Sequence, residues 1–425
     1  MTRPFAARIG ASSCSGLAAF SDCTRPMFPN PAAPLLSRRQ ALALLPGLLC
    51  SASTLAQVAA PVLVGIDAEF SLDNSTSAQA IELGARIAMA EINQSGGVLG
   101  GRQLNIITRD HHAITARGIK NIREFAAMPD VVAVLGGRFS PVVIEQIPVL
   151  KEAKLPFMAV WSAADAIVDN GSQPNFVFRL SLRDSLAMPF MLQSAQRRGL
   201  DKVGLLLTNT SWGRSNLTAV ERHMRSKRLP AVVDVAWYNW QDTSLVERYL
   251  RLVNAGAKAI VLVANDDEGA LLVREVAQLP AEQRIPVISH WGVTGGRFFE
   301  GAGPALKAVD FSVVQTFSFF NARKEPLQRF MAVAAGLGVK RIEDIESPVG
   351  VAHAYDAVHL LARAIRVARS TDRSAVRQAL ENLPPYQGLV RHYAPAFSAS
   401  RHEALDSTQL LMARYRDDGV LVPAR

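Results

Sequence analysis

The sequence has no cysteine after position 50: its three, Cys14, Cys23 and Cys50, all fall at the front of a 425-residue chain. A catalytic thiol, a CxxC pair or cysteine-ligated zinc is thereby excluded from the remainder. The signatures of common enzyme sites are missing too, with no GxSxG, no HExxH, no GxxxxGK[ST], and no GxGxxG between a strand and a helix. His111 and His112 are adjacent and diverge, while His353 and His359 are six apart and share no helical face, so neither pair reads as a metal site. No dense Lys/Arg tract is present. Of the net charge of +9, the first 56 residues contribute five arginines against Asp22. About +5 is left scattered over the rest, without the basic footprint of a nucleic-acid binder. No catalysis, cofactor, metal or nucleic-acid partner is expected.

What is present begins with residues 37–60, SRRQALALLPGLLCSASTLAQVAA, an arginine pair, a short apolar run and small residues ending near Ala56. This has the form of an export signal, and a run of about twelve residues containing Pro46 falls short of the roughly twenty needed to span a bilayer. Residues 1–56 are therefore expected to be a pre-sequence, with the true start open between Met1 and Met27, and the protein to reach the periplasm. Ser37, Arg38, Arg39 and Leu42 resemble a twin-arginine signal, but Ala41 replaces its usual large apolar residue, so that route and general secretion both stay open. Lipidation of Cys50 also stays open, Leu49 being bulky where that processing takes a small residue.

From Pro61 onward short apolar runs alternate with stretches of helical spacing, the pattern of an α/β fold with parallel sheets covered on both faces. Strands are predicted in PVLVGID, QLNIITRD, VVAVLGG, PFMAVWS, KVGLLLTN, AVVDVAWYN, AIVLVAN, PVISHW and DFSVVQTFS. A helix is predicted over AQAIELGARIAMAEIN, with Ile81, Ala85, Ala88 and Ile92 on one side. The glycine pairs of QSGGVLGGRQ follow this helix instead of opening it. They read as a helix stop at Gly96 and Gly97 and a turn at Gly100 and Gly101, not as a phosphate loop. In such folds ligands sit outside the carboxyl ends of the strands.

The segment GIDAEFSLDNSTSAQAIELGARIAMAEINQSGGVLGGRQLNIITRD resembles the opening of solute-binding proteins related to the leucine/isoleucine/valine-binding protein. LGGRFSPVV, PFMAVWSAAD, FVFRLSLRDS and AYDAVHLLARAI resemble later segments of that family, so the resemblance runs from about Pro61 to Pro423. It implies a type I periplasmic-binding fold, two doubly wound parallel-sheet lobes joined by a three-crossing hinge, with 61–180 plus 316–390 in one lobe and 181–315 plus 391–425 in the other. It further implies a monomer that closes on a small polar solute, an amino acid or related carboxylate, and delivers it to an ABC permease in the inner membrane. A receptor subunit of a sensor kinase or chemotaxis system is the alternative. The family's ligand loops map onto Arg138, Phe139, Ser140, Trp161, Ser162, Ala163 and Asp165 in the first lobe and Trp212, Asp267 and Glu268 in the second. Ser140 and Ser162 would hold a carboxylate, Glu268 or a neighbouring acid an ammonium, and Trp161 and Trp212 the body of the ligand. Arg138 and Asp165 depart from the family pattern. Arg138 could pair with a ligand carboxylate or with Asp165.

Overall fold

A computed structural model describes residues 60–223 and 229–424. The expected export signal and the three cysteines lie outside these residues. Two sheets carry the fold. The first is built from β1 (Val62–Ala68), β2 (Leu104–Asp110), β3 (Val131–Gly136), β4 (Phe157–Ala159) and β5 (Val177–Arg179), all parallel, in the spatial order β2-β1-β3-β4-β5. The second repeats that order with β6 (Lys202–Thr208), β7 (Ala231–Tyr238), β8 (Ala259–Val263), β9 (Val287–Ser289) and β10 (Phe311–Gln315), as β7-β6-β8-β9-β10. A hairpin of β11 (Tyr386–Gln387) and β12 (His392–Tyr393) follows, and then β13 (Leu411–Tyr415) and β14 (Leu421–Pro423) extend the second sheet antiparallel beyond β10.

Each of the nine predicted strands is present, because runs such as Val131–Gly136 and Ala259–Val263 are buried along their whole length between helices. Three strands of the two main sheets were not predicted. β5 is three residues long, and β13 and β14 sit half-buried at an edge, so none carries a clear period.

The first helix runs Ser77–Gln94 and buries Ile81, Ala85, Ala88 and Ile92. It stops as the glycines dictate. Gly96 and Gly97 take φ of 94° and 69°, and the Gly97 amide donates back to the Ile92 carbonyl at 2.9 Å. The Asn93 side chain then brackets Leu104, donating to its carbonyl at 3.0 Å and accepting from its amide at 2.8 Å, which ties the helix end to the start of β2.

The chain crosses between sheets three times. It leaves the first after β5, returns after β10 so that the helix Pro348–Ala368 packs on Ser77–Gln94, and leaves again to form β13. The crossing strands are stapled by Arg179, whose Nε and Nη2 donate to the two carboxylate oxygens of Glu403 at 2.9 and 2.6 Å while Nη1 donates to the Ala164 carbonyl at 2.8 Å. No described helix is long and apolar enough to cross a membrane.

Candidate functional site

Both sheets reverse strand order at one place, between β1 and β3 in the first and between β6 and β8 in the second. Loops diverge there and leave a crevice at the carboxyl ends of the strands. The residues just past those ends meet across the two sheets. Glu69 follows β1, His111 follows β2, Arg138 follows β3 and Trp161 follows β4. From the other side come Trp212 after β6, Trp240 after β7, Asp266 after β8 and His290 with Trp291 after β9.

Arg138 is the centre of this meeting. Its side chain is 5% exposed, and Nη1 donates to Asp266 Oδ1 at 2.6 Å across the cleft, while Nε faces Glu69 Oε1 at 3.7 Å. Burial works against the guanidinium charge, but Asp266 and Glu69 more than offset it and push its pKa up. The backbones also join. Thr76 N–H donates to the Gly295 carbonyl and Arg297 N–H to the Asn74 carbonyl, each at 3.0 Å, an antiparallel bridge centred on Ser75 and Gly296. Asn74 Nδ2 adds a bond to Asp267 Oδ1 at 2.9 Å. A Cβ on Gly296 would stand 2.6 Å from the Asn74 carbonyl oxygen, so the close approach requires glycine.

Aromatic side chains wall the crevice. Phe139 meets Trp240 edge-on at 5.4 Å from the opposite sheet, and Trp161 meets Trp291 at 5.7 Å, tilted by 41°. Trp212 donates its indole N–H to Asp184 Oδ1 at 3.2 Å and stands edge-on to His290 at 5.0 Å.

Several buried polar atoms at this meeting find no hydrogen-bond partner among the described residues: Glu69 Oε2, His111 Nε2, Arg138 Nε, Asp184 Oδ2, Asp266 Oδ2 and both ring nitrogens of His290. Each such atom costs about 1–3 kcal/mol when nothing meets it, so a concentration of them marks a place built for another polar molecule. Burial pushes the Glu268 carboxyl up to about 7 and raises Asp266 despite its bond to Arg138, while burial lowers His111 and keeps it neutral at pH 7.

The predicted site residues divide in this setting. Arg138, Phe139, Trp161, Trp212, Asp267 and Glu268 are gathered where the sheets meet. Ser140 is turned to its own chain, its Oγ accepting from the Ala163 and Ala164 amides at 3.2 Å each. Ser162 lies on the same turn, with a buried Oγ that has no partner among the described residues. Asp165 does not pair with Arg138. Its carboxylate faces Arg183 Nε at 3.4 Å and accepts from the Ser185 amide at 3.1 Å, because the short helical turn at 165–167 carries it toward the crossing strands. Of the three consecutive acids after β8, Asp266 is the one that meets Arg138. Glu69, Asp184, Trp240 and His290 were missed, and His111 was read as an ordinary histidine. Most of them lie just past strand ends, so the expectation that ligands sit outside the carboxyl ends of the strands would have found them had it been applied to every strand. His353 is the ordinary case, with its two nitrogens bonded to the Val160 carbonyl and to Thr316 Oγ1 at 3.0 and 2.9 Å.

A cavity of about 410 Å³ opens nearby, lined by Phe70, Leu72, Thr76, Leu83, Arg297 and Ile345 among others. Ser75, Thr76 and Arg297 of the bridge contribute to its lining, and Arg138 does not.

With two lobes of one strand order facing each other at their switch points, the molecule has the type I periplasmic-binding fold. Residues 61–419 match the model of the family described as periplasmic binding protein, and the chain belongs to that family, whose members bind solutes and are not enzymes. Among solved structures, a type 1 periplasmic binding protein from Bordetella pertussis Tohama I is similar, with a TM-score of 0.77 at 20% identity over 86% of this chain and 99% of that one. The branched-chain amino acid transporter substrate-binding protein LivJ from Streptococcus pneumoniae, in complex with isoleucine, gives 0.71 at 18% identity over 86% and 100%. A solute-binding protein of an ABC transporter from Rhodopseudomonas palustris HaA2, in complex with p-hydroxybenzoic acid, gives 0.72 at 17% identity over 85% and 95%. No curated protein matches the sequence.

Proposed function

We propose that the protein is exported to the periplasm, captures a small polar solute between its lobes and delivers it to an ABC permease in the inner membrane. The lobes are residues 61–180 with 316–390 and residues 181–315 with 391–425. The observation that carries this reading is the set of buried, unpartnered polar atoms around the Arg138–Asp266 pair, contributed by both sheets at their carboxyl ends. A solute touching both sides gains its full set of contacts only when the lobes are together, and that differential affinity drives closure. Arg138, Phe139, Trp161, Trp212, Asp267 and Glu268 form the walls, and Ser140, Ser162, Ala163 and Asp165 the turn that supports them. Amino acids and related carboxylates are the solute class, in keeping with the isoleucine and p-hydroxybenzoic acid bound by structural neighbours.

Thermal denaturation of the purified chain against amino acids, amines and small organic acids tests the reading, since a ligand of the folded form at 100 times its Kd adds about 2.7 kcal/mol of stability. A raised midpoint together with a smaller radius of gyration by X-ray scattering is expected. No shift with any solute would overturn it.

A further inference from the structure

Buried polar atoms without a partner among the described residues gather at a second place, away from the crevice: Arg329 Nε, His359 Nε2, Arg363 Nε and Tyr386 Oη. The helices Ser77–Gln94 and Pro348–Ala368 begin beside the solute site, where Ser77 bonds Glu69 and Gly350 packs on Trp161. The cluster lies toward their other ends. Glu91 comes from the first helix and His359 and Arg363 from the second, with Arg329 added by the helix Lys324–Ala334 and Tyr386 by β11.

The two guanidinium nitrogens can only donate, and the Tyr386 hydroxyl and the His359 imidazole can donate as well. Acceptors are short. Glu91 Oε2 accepts from the Tyr355 hydroxyl and faces His359 Nε2 at 3.4 Å, while Oε1 faces Arg329 Nε at 3.2 Å but out of line for a hydrogen bond. Asp356, whose charge also reaches Tyr386, has its oxygens occupied by the Leu389 and Val390 amides at 2.7 and 2.9 Å and by the Tyr393 hydroxyl at 2.8 Å.

Charge is left over too. Arg329 has Glu91 opposite it, whereas Arg363 lies over the Tyr386 ring at 4.8 Å and pairs with no carboxylate among the described residues. Stacking holds the guanidinium in place and leaves its Nε and the neighbouring hydroxyl bare. A water molecule can meet one such donor, but only an anion also answers the unbalanced charge. The Arg329 side chain is 37% exposed, so the cluster opens to solvent.

We infer that this cluster binds a small inorganic oxyanion of the phosphate or sulfate type, with Arg363 and Tyr386 as its principal donors and Arg329 and His359 lining it. The site is separate from the one between the lobes and serves a different ligand.

Calorimetric titration of the purified chain with inorganic phosphate, against sodium chloride at equal ionic strength, tests this. Saturable phosphate binding by the wild type is expected, with none for chloride. Arg363→Met is expected to weaken phosphate about tenfold or more, and Tyr386→Phe, which keeps the ring and removes only the hydroxyl, about fivefold. Circular dichroism should show both variants folded, and if Arg363→Met does not fold, Tyr386→Phe decides alone. Arg138→Met, at the solute site, should leave phosphate affinity unchanged. No phosphate binding by the wild type, wild-type affinity in either cluster variant that folds, or a loss caused by Arg138→Met overturns the inference. Each of these outcomes leaves the solute-binding reading standing, since that rests on other residues.

Discussion

Arg179–Glu403 and Arg138–Asp266 are both buried ion pairs, and both join parts of the chain far apart in sequence. They differ in completeness. Arg179 is 0% exposed and forks onto both oxygens of Glu403, with its remaining nitrogen on a backbone carbonyl. Around it, the Arg179 amide donates to the His402 carbonyl at 2.8 Å and the Ala404 amide to the Arg179 carbonyl at 2.9 Å. Arg138 makes one bond to Asp266 and leaves Nε, Asp266 Oδ2 and the facing Glu69 Oε2 without partners among the described residues. A pair that satisfies every atom holds a fold in place. A pair with atoms to spare, placed where two lobes meet, holds open a set of contacts for something else.

Breaking each pair separates these roles, and the largest effect is expected at the complete one. Arg179→Met strands Glu403 in the interior and should cost about 3–5 kcal/mol of stability by chemical denaturation. Solute affinity of the remaining folded protein should not change.

A pH titration probes the incomplete pair. The Glu268 carboxyl, raised from 4.5 to about 7 chiefly by burial, stays protonated in the folded chain where the unfolded chain has lost the proton. The folded state therefore binds more protons between pH 4.5 and 7, and stability falls as pH rises through that window. The loss amounts to roughly 3 kcal/mol for a shift of this size. Glu268→Gln should flatten this part of the stability profile. Asp67, raised to about 7 by burial beneath the first sheet, adds a slope of the same sign that Glu268→Gln leaves in place.

Arg138→Met should cost less than Arg179→Met, about 1–2 kcal/mol, because the lobes can part and let water reach Asp266 and Glu69. Its signature is a larger radius of gyration in scattering. A cost equal to that of Arg179→Met would erase the distinction between the pairs. The smallest effect is expected at Ser140→Ala, which removes the acceptor for two amides and should lower stability by about 1 kcal/mol.

Much of this arrangement was legible in the sequence. Buried strands such as Ala259–Val263 announce themselves as unbroken apolar runs, and the glycines at 96 and 97 stop a helix wherever its partners lie. Arg138, Phe139, Trp161 and Trp212 could be placed because the family resemblance maps ligand loops onto them, and all four lie just past strand ends. The partner of Arg138 could not be placed. Asp266 lies 128 positions away on the other sheet, and Asp266, Asp267 and Glu268 are chemically alike and share one helical turn. Which of them reaches Arg138 depends on how the helix Asp266–Val276 leaves β8, and that is set by packing. Glu69 was hidden for a different reason. A lone acid after β1 reads as solvated surface until Ser75 and Ser77 are seen to fold back onto it.

A crystal structure of the wild-type chain grown with a bound amino acid or small carboxylate bears most directly on the meeting of the two sheets as a capture site. The solute is expected between β3 and β8, within hydrogen-bond distance of Glu69 Oε2 or Asp266 Oδ2 or of the Arg138 Nε beside them. A solute seated instead in the cavity beside Phe70 and Ile345, with those two oxygens untouched, would contradict it.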